Sequence, residues 1–285
     1  MRTPADSRTV SPEPIAAKVP EITALFWVIK VLTTGMGEAS SDYLGNLNLA
    51  LAGVVGVGGI VLALRWQLRA SSYNAWRYWF AVMMVAVFGT MAADVLHVAG
   101  IPYVATTILY AVAVTVVLFL WYRSEGTLSI HSVTTRRRET YYWLTVLATF
   151  ALGTAAGDLT ATSMNLGFFS SGWIFVAVIA IPLVGWRFGL NPIVAFWFAY
   201  VVTRPLGASF ADWFGKARSV DGGLGYGDGT VAGIALVAIA ALVGFVAYTG
   251  RGVQDRSHAE MPLPERGVAP DEDHVGGAVG VPATD

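Results

Sequence analysis

The chain has 285 residues, of which 55% are hydrophobic and only 13% charged, with a mean hydropathy of +0.59. A soluble domain carries about 25% charged residues, so this composition excludes a water-covered globule and predicts a lipid bilayer as the surrounding medium. A net charge of −1 gives no footing for nucleic acid, and the absence of cysteine excludes disulfides, thiolate metal sites and cysteine nucleophiles.

The first 19 residues are rich in Pro, Ser, Thr and Ala and lack the apolar core of a signal peptide, so they read as a disordered cytoplasmic tail. A membrane helix needs about 20 largely apolar residues. Eight segments meet or approach that length: Ile22–Leu44, Leu47–Leu64, Trp76–His97, Pro102–Trp121, Tyr141–Ala161, Gly172–Val184 (extending back towards Phe168), Pro192–Trp213 and Thr230–Tyr248. The expected fold is all-α, a polytopic membrane helix bundle of about eight transmembrane helices. Residues 251–285 read as a second disordered cytoplasmic tail, whose Asp271, Glu272, Asp273 and His274 are more simply a charged end than a metal site.

Basic residues cluster on one side of the bundle. Arg65, Arg69 and Arg77, then Arg123 and Arg136 to Arg138, then Arg187 follow the even spans, against Lys216 and Arg218 on the other side. The positive-inside rule then places both termini in the cytoplasm.

The odd spans share a repeated pattern. A Trp is followed ten positions later by Gly and fifteen later by Asp: Trp27, Gly37, Asp42; Trp79, Gly89, Asp94; Trp143, Gly153, Asp158; Trp197, Gly207, Asp212. An aromatic residue precedes each Trp. Four occurrences at one spacing imply four parallel two-helix units, about 20–70, 71–125, 136–189 and 190–250, within a membrane domain 20–250. The units are expected around a pseudo-fourfold axis or as two pairs. The Trp and Gly residues are expected to serve repeat packing.

At 100° per residue, the position eleven after each Trp lies on the face between Trp and Asp. It holds Glu38, Thr90 and Thr154 in the first three units, and Thr34 stands one turn earlier in the first. Lys30, Thr34, Glu38 and Asp42 thus form one polar stripe. Five acids in the odd spans, Glu38, Asp42, Asp94, Asp158 and Asp212, outnumber the counter-charges Lys30 and Arg204. Ionisable groups within a span face partners or water, so an acidic interior predicts proton or cation binding. Asp94 and His97 are three apart on one face and, with Glu38 and Asp42, make a candidate metal set of oxygen and imidazole ligands suited to hard cations. Arg204-Pro205 predicts a kink in the seventh span.

The stretch from Lys18 through Trp27 and Lys30 to Glu38 and Asp42 resembles the signature of a bacterial integral membrane family of four tandem two-helix repeats, known as uncharacterised membrane-anchored proteins. The resemblance implies a bacterial inner membrane location and hands over no activity. The residues lead to a cation transporter, an exporter or proton-coupled exchanger, with a divalent metal as candidate cargo. No cofactor is expected, and a homo-oligomer is compatible with the sequence. The alternatives are a non-transporting scaffold or sensor, and a cofactor-binding enzyme or pigment protein. Haem would need more span histidines than His97, and a Schiff base would need Lys30, which reads more simply as an ion-pair partner.

Overall fold

The computed structural model describes residues 17–254; the acidic cluster at 271–274 and most of both tails lie outside them. Eight α-helices follow one another: α1 Ala24–Leu47, α2 Leu49–Leu68, α3 Ala75–Val98, α4 Tyr103–Glu125, α5 Arg136–Asp158, α6 Gly167–Arg187, α7 Pro192–Gly215 and α8 Asp228–Thr249. All four odd helices begin under a side-chain cap. Thr23, Asn74, Thr135 and Asn191 accept from first-turn N–H groups that have no partner within the helix.

Seven of these helices are long and apolar enough to cross a bilayer; α1 is the exception. Lys30, Glu38 and Asp42 inside its 24 residues lower its apolarity. Its ends nevertheless match those of its neighbours. Just before it, Ala17 accepts from the Tyr73 N–H beside the start of α3, and Lys18 pairs with Glu139 at the start of α5. Its far end is tied by Asp42 to Lys216, the residue after α7. Helix α1 therefore traverses the same thickness as the helices around it, with its charges facing protein.

The odd helices form a closed inner ring: α1 packs on α3 and α7, and α5 packs on α3 and α7. Each even helix packs chiefly on the odd helix of the next unit, α2 on α3, α4 on α5 and α6 on α7, and α8 closes the circle on α1. The fourfold closure is visible residue by residue. A Cβ on Gly37 would strike Ala86, one on Gly89 would strike Phe150, one on Gly153 would strike Arg204, and one on Gly207 would strike Thr34. In each case the Gly of one unit receives the residue seven after the Trp of the next.

A second series runs through the aromatic residues. The edge-on pairs Phe26–Trp27, Tyr78–Trp79, Tyr142–Trp143 and Phe196–Trp197 have ring centroids 5.1–5.3 Å apart. Between units, Phe26 meets Trp79, Tyr78 meets Trp143, Tyr142 meets Trp197 and Phe196 meets Trp27, at 5.6, 5.6, 6.2 and 5.7 Å. Two independent sets of contacts, each returning from the fourth unit to the first, make the arrangement pseudo-fourfold and exclude two separate pairs. Such edge-to-face pairs add about 0.5–1.5 kcal/mol each beyond burial.

Several expectations need correction. Residues 17–19, expected in the N-terminal tail, are packed: Ala17 accepts from the Tyr73 N–H, Val19 is buried, and Lys18 donates to the fully buried Glu139 at 2.8 Å. Glu139 also accepts from Gln67 at 3.1 Å, so α2, α5 and the chain start are joined by one buried polar cluster. Residues 251–254 are likewise packed, because Gly252 accepts from the Glu21 N–H and Gln254 donates to Pro20. Pro205, where the sequence predicts a kink, lies inside helix α7 with its ring against Gly153. In α2 only Gly56 and Gly59 serve close packing, against Met91 and Met84, while Gly53 and Gly58 face open space.

Candidate functional site

The inner ring stacks the repeated positions in layers along its axis. At the end where the odd helices begin, Phe26, Tyr78, Tyr142, Phe196 and Tyr200 close the axis, with the Tyr78 and Tyr142 hydroxyls 2.5 Å apart. Lys30 comes next. It is fully buried, its Nζ lies 4.2 Å from the ring centres of both Phe150 and Tyr200, and it donates to Thr203 Oγ1 at 3.4 Å. No carboxylate among the described residues pairs with it. The expected ion-pair role of Lys30 is corrected: two turns of helix separate it from Glu38, whereas aromatic faces from α5 and α7 lie directly against the ammonium.

The next layer belongs to Arg204. Its Nη2 donates to Glu38 Oε2 at 2.7 Å, to Thr154 Oγ1 at 2.7 Å and to Thr90 Oγ1, while Nη1 donates to the Thr34 carbonyl at 3.0 Å. One side chain from the fourth unit thus touches all three others. The guanidinium is fully buried and fills the axis at this level. The side chain leaves α7 for Glu38, because its guanidinium meets a carboxylate and two hydroxyls at once.

Beyond Arg204 lie the four repeat aspartates. Glu38, Asp42 and Asp212 each place one carboxylate oxygen within 4.8 Å of the other two. Oxygens holding one Mg²⁺- or Ca²⁺-sized ion sit about 2.0–2.6 Å from it, so they lie no more than about 5 Å apart. The spacing fits a single hard cation. Asp212 is 4% exposed, and its Oδ1 has no hydrogen-bond partner. Asp42 accepts from Lys216 Nζ at 2.5 Å, and Lys216 is also 3.8 Å from Asp228. Asp94 and Asp158 are partly exposed and have no ion pair or hydrogen bond among the described residues; Glu38 and Asp42 are electrostatic neighbours of both. Asp158 directly precedes a π-helical turn, Leu159–Ser163, an irregularity frequent beside functional groups.

Of the expected metal set, Glu38 and Asp42 belong to the cluster, Asp212 joins them, and His97 does not. His97 is exposed and stacked on Tyr103 with ring centroids 3.8 Å apart. It follows Asp94 by almost a full turn towards the helix end, which carries its ring outward from the axis. Lys216 and Asp228 escaped sequence reading because they lie in and beside a glycine-rich loop. The only signal was that Lys216 follows Asp212 by four residues, one helical turn.

An apolar cavity lies elsewhere. It measures about 660 Å³, lies between α1, α6 and α7 towards the aromatic end, and is lined by residues such as Trp27, Leu183, Trp186 and Thr203. Its lining contains no carboxylate.

A family model described as a repeat of unknown function, DUF347, matches residues 77–127, 141–188 and 195–251, together more than half of the chain. These stretches are the second, third and fourth units. The first unit, bearing Lys30, Glu38 and Asp42, lies outside the match although it occupies an equivalent place in the ring. No curated protein and no solved structure matches the chain.

Proposed function

The chain belongs to the DUF347 repeat family, and from that premise we propose that it is a membrane cation transporter, an exporter or proton-coupled exchanger, that binds its ion in the axial acidic chamber. The observation carrying this reading is the convergence of Glu38, Asp42 and Asp212 within 4.8 Å, with a buried Asp212 oxygen left without a partner. A buried carboxylate oxygen without a donor is costly, and a cation or proton removes that cost.

Charge along the axis gives the path a direction. Carboxylates line it on one side of Arg204, while Lys30 and the aromatic layer close it on the other. Asp42 and Lys216 retain side-chain exposures of 18% and 23%, so the chamber is reachable from the end where the odd helices finish. The arginines cluster at the opposite end, so by the positive-inside rule the chamber faces away from the cytoplasm, in a bacterial inner membrane. This is a conformation open to the outside. Transport requires Arg204 to leave Glu38, which couples ion binding to release of a contact that joins all four units.

The donor set, carboxylates and hydroxyls without thiols, favours hard divalent ions such as Mg²⁺ and Mn²⁺ over soft ones. Asp212→Asn is expected to abolish divalent-cation flux in proteoliposomes, measured with a fluorescent indicator in the lumen. Flux equal to that of the native chain would overturn the transporter assignment.

A further inference from the structure

The triad is flanked by two tethered cations of different character. Arg204 is fully buried and held by four acceptors. Lys216 is not: it follows the last residue of α7, is 23% exposed, and lies near two carboxylates, Asp42 at 2.5 Å and Asp228 at 3.8 Å. The loop that carries it is shaped for this placement. Its carbonyl accepts from the Gly225 N–H at 2.8 Å, and Gly215 accepts from the Gly227 N–H at 3.0 Å. A side chain at Gly223 would strike the Lys216 carbonyl, and one at Gly215 would strike Asp228. The loop turns through Gly222, Gly225 and Gly227, all at positive φ, where side chains are disfavoured.

The two carboxylates differ. Asp42 belongs to the triad; Asp228 starts α8 and lies outside it. One oxygen of Asp228, Oδ1, is buried without a hydrogen-bond partner. A lysine ammonium is a point charge on a flexible four-carbon stem with three donors, so it can pass between neighbouring carboxylates, as a bidentate arginine cannot do without losing its geometry. With its Nζ 2.5 Å from Asp42, the ammonium occupies an oxygen that an incoming ion also needs, so the two compete for it.

Resting on the reading of the triad as a cation site, we propose that Lys216 is a tethered counter-cation that the incoming divalent ion displaces from Asp42 onto Asp228. The lysine holds the empty site neutral enough to persist and imposes a threshold, because the ion must outcompete a charge already in place. A divalent ion with three oxygen ligands succeeds where a monovalent ion gains less Coulomb energy for the same displacement. The position thus becomes a determinant of selectivity, supplied by the fourth unit to acids of the first and fourth.

The test is Mn²⁺ titration of the purified full chain in detergent. Lys216→Gln is expected to bind Mn²⁺ at least tenfold more tightly than the native protein, and Lys216→Arg, which keeps the charge, no more tightly than native. Asp228→Asn removes the acceptor of the displaced ammonium and is expected to weaken binding, although Asp228 is no ligand. Unchanged or weaker binding in Lys216→Gln, with binding still lost in Asp212→Asn, overturns the role of Lys216 alone. Mn²⁺ binding that survives Asp212→Asn, or is absent from the native chain, overturns the triad itself.

Discussion

Arg204→Met is expected to destabilise the bundle by about 3–5 kcal/mol, the cost of breaking a buried ion pair by removing one partner. The substitution strands the Glu38 carboxylate, which is 3% exposed, and leaves the Thr90 and Thr154 hydroxyls without their shared donor. It also releases a side chain that bonds all three other units. The matching double variant, Arg204→Met with Glu38→Leu, is expected to regain most of the loss, since replacing both members of a buried pair by apolar groups is often neutral or stabilising. Thermal unfolding in detergent, followed by circular dichroism, separates the outcomes. If Arg204→Met unfolds at the native temperature, the axial plug is not the fastening described here.

The second large effect is steric and divides the glycines into two classes. A Cβ at Gly207 would lie 2.8 Å from the Val31 carbonyl and closer still to Thr34, and one at Gly37 would lie 2.8 Å from the backbone of Ala86. Backbone cannot step aside as a flexible side chain can, so Gly37→Ala and Gly207→Ala are each expected to cost about 1–3 kcal/mol. Gly53 and Gly233 have nothing within 4 Å, and their change to Ala is expected to stabilise helix by up to about 1 kcal/mol. The same unfolding experiment reads all four. Equal effects in the two classes would contradict the cyclic packing.

The helices were legible in the sequence because the bilayer imposes length and apolarity on each span. All eight expected segments correspond to observed helices, with ends displaced by a few residues where caps such as Thr23, Asn74 and Asn191 decide. The Trp–Gly–Asp spacing likewise announced four equivalent units. What it could not convey was direction around the ring. That Gly37 receives Ala86 of the next unit, and that α2 lies on α3, depends on helix crossing, which a spacing within one helix does not encode.

Pairing of charges failed for the same reason. Lys30 reads as an ion-pair partner because it shares a stripe with acids, but Arg204 arrives from a helix 166 positions away and takes Glu38. Glu139 was hidden among Arg136, Arg137 and Arg138, a run with the look of a solvated loop. The pattern that betrays it is its position three residues before Tyr142, on the face that points inward. The Asp94–His97 idea rested on a correct shared face and ignored height, since one turn nearer the helix end carries the imidazole to the surface.

The central claim is that three acids from two units hold one cation between them. Crystals or frozen particles of the native chain prepared with Mn²⁺ test it most directly, through the element's anomalous or difference density. The account predicts one peak bonded to oxygens of Glu38, Asp42 and Asp212, with Lys216 turned towards Asp228. Density confined to exposed carboxylates, with the axial triad empty at saturating Mn²⁺, would contradict it.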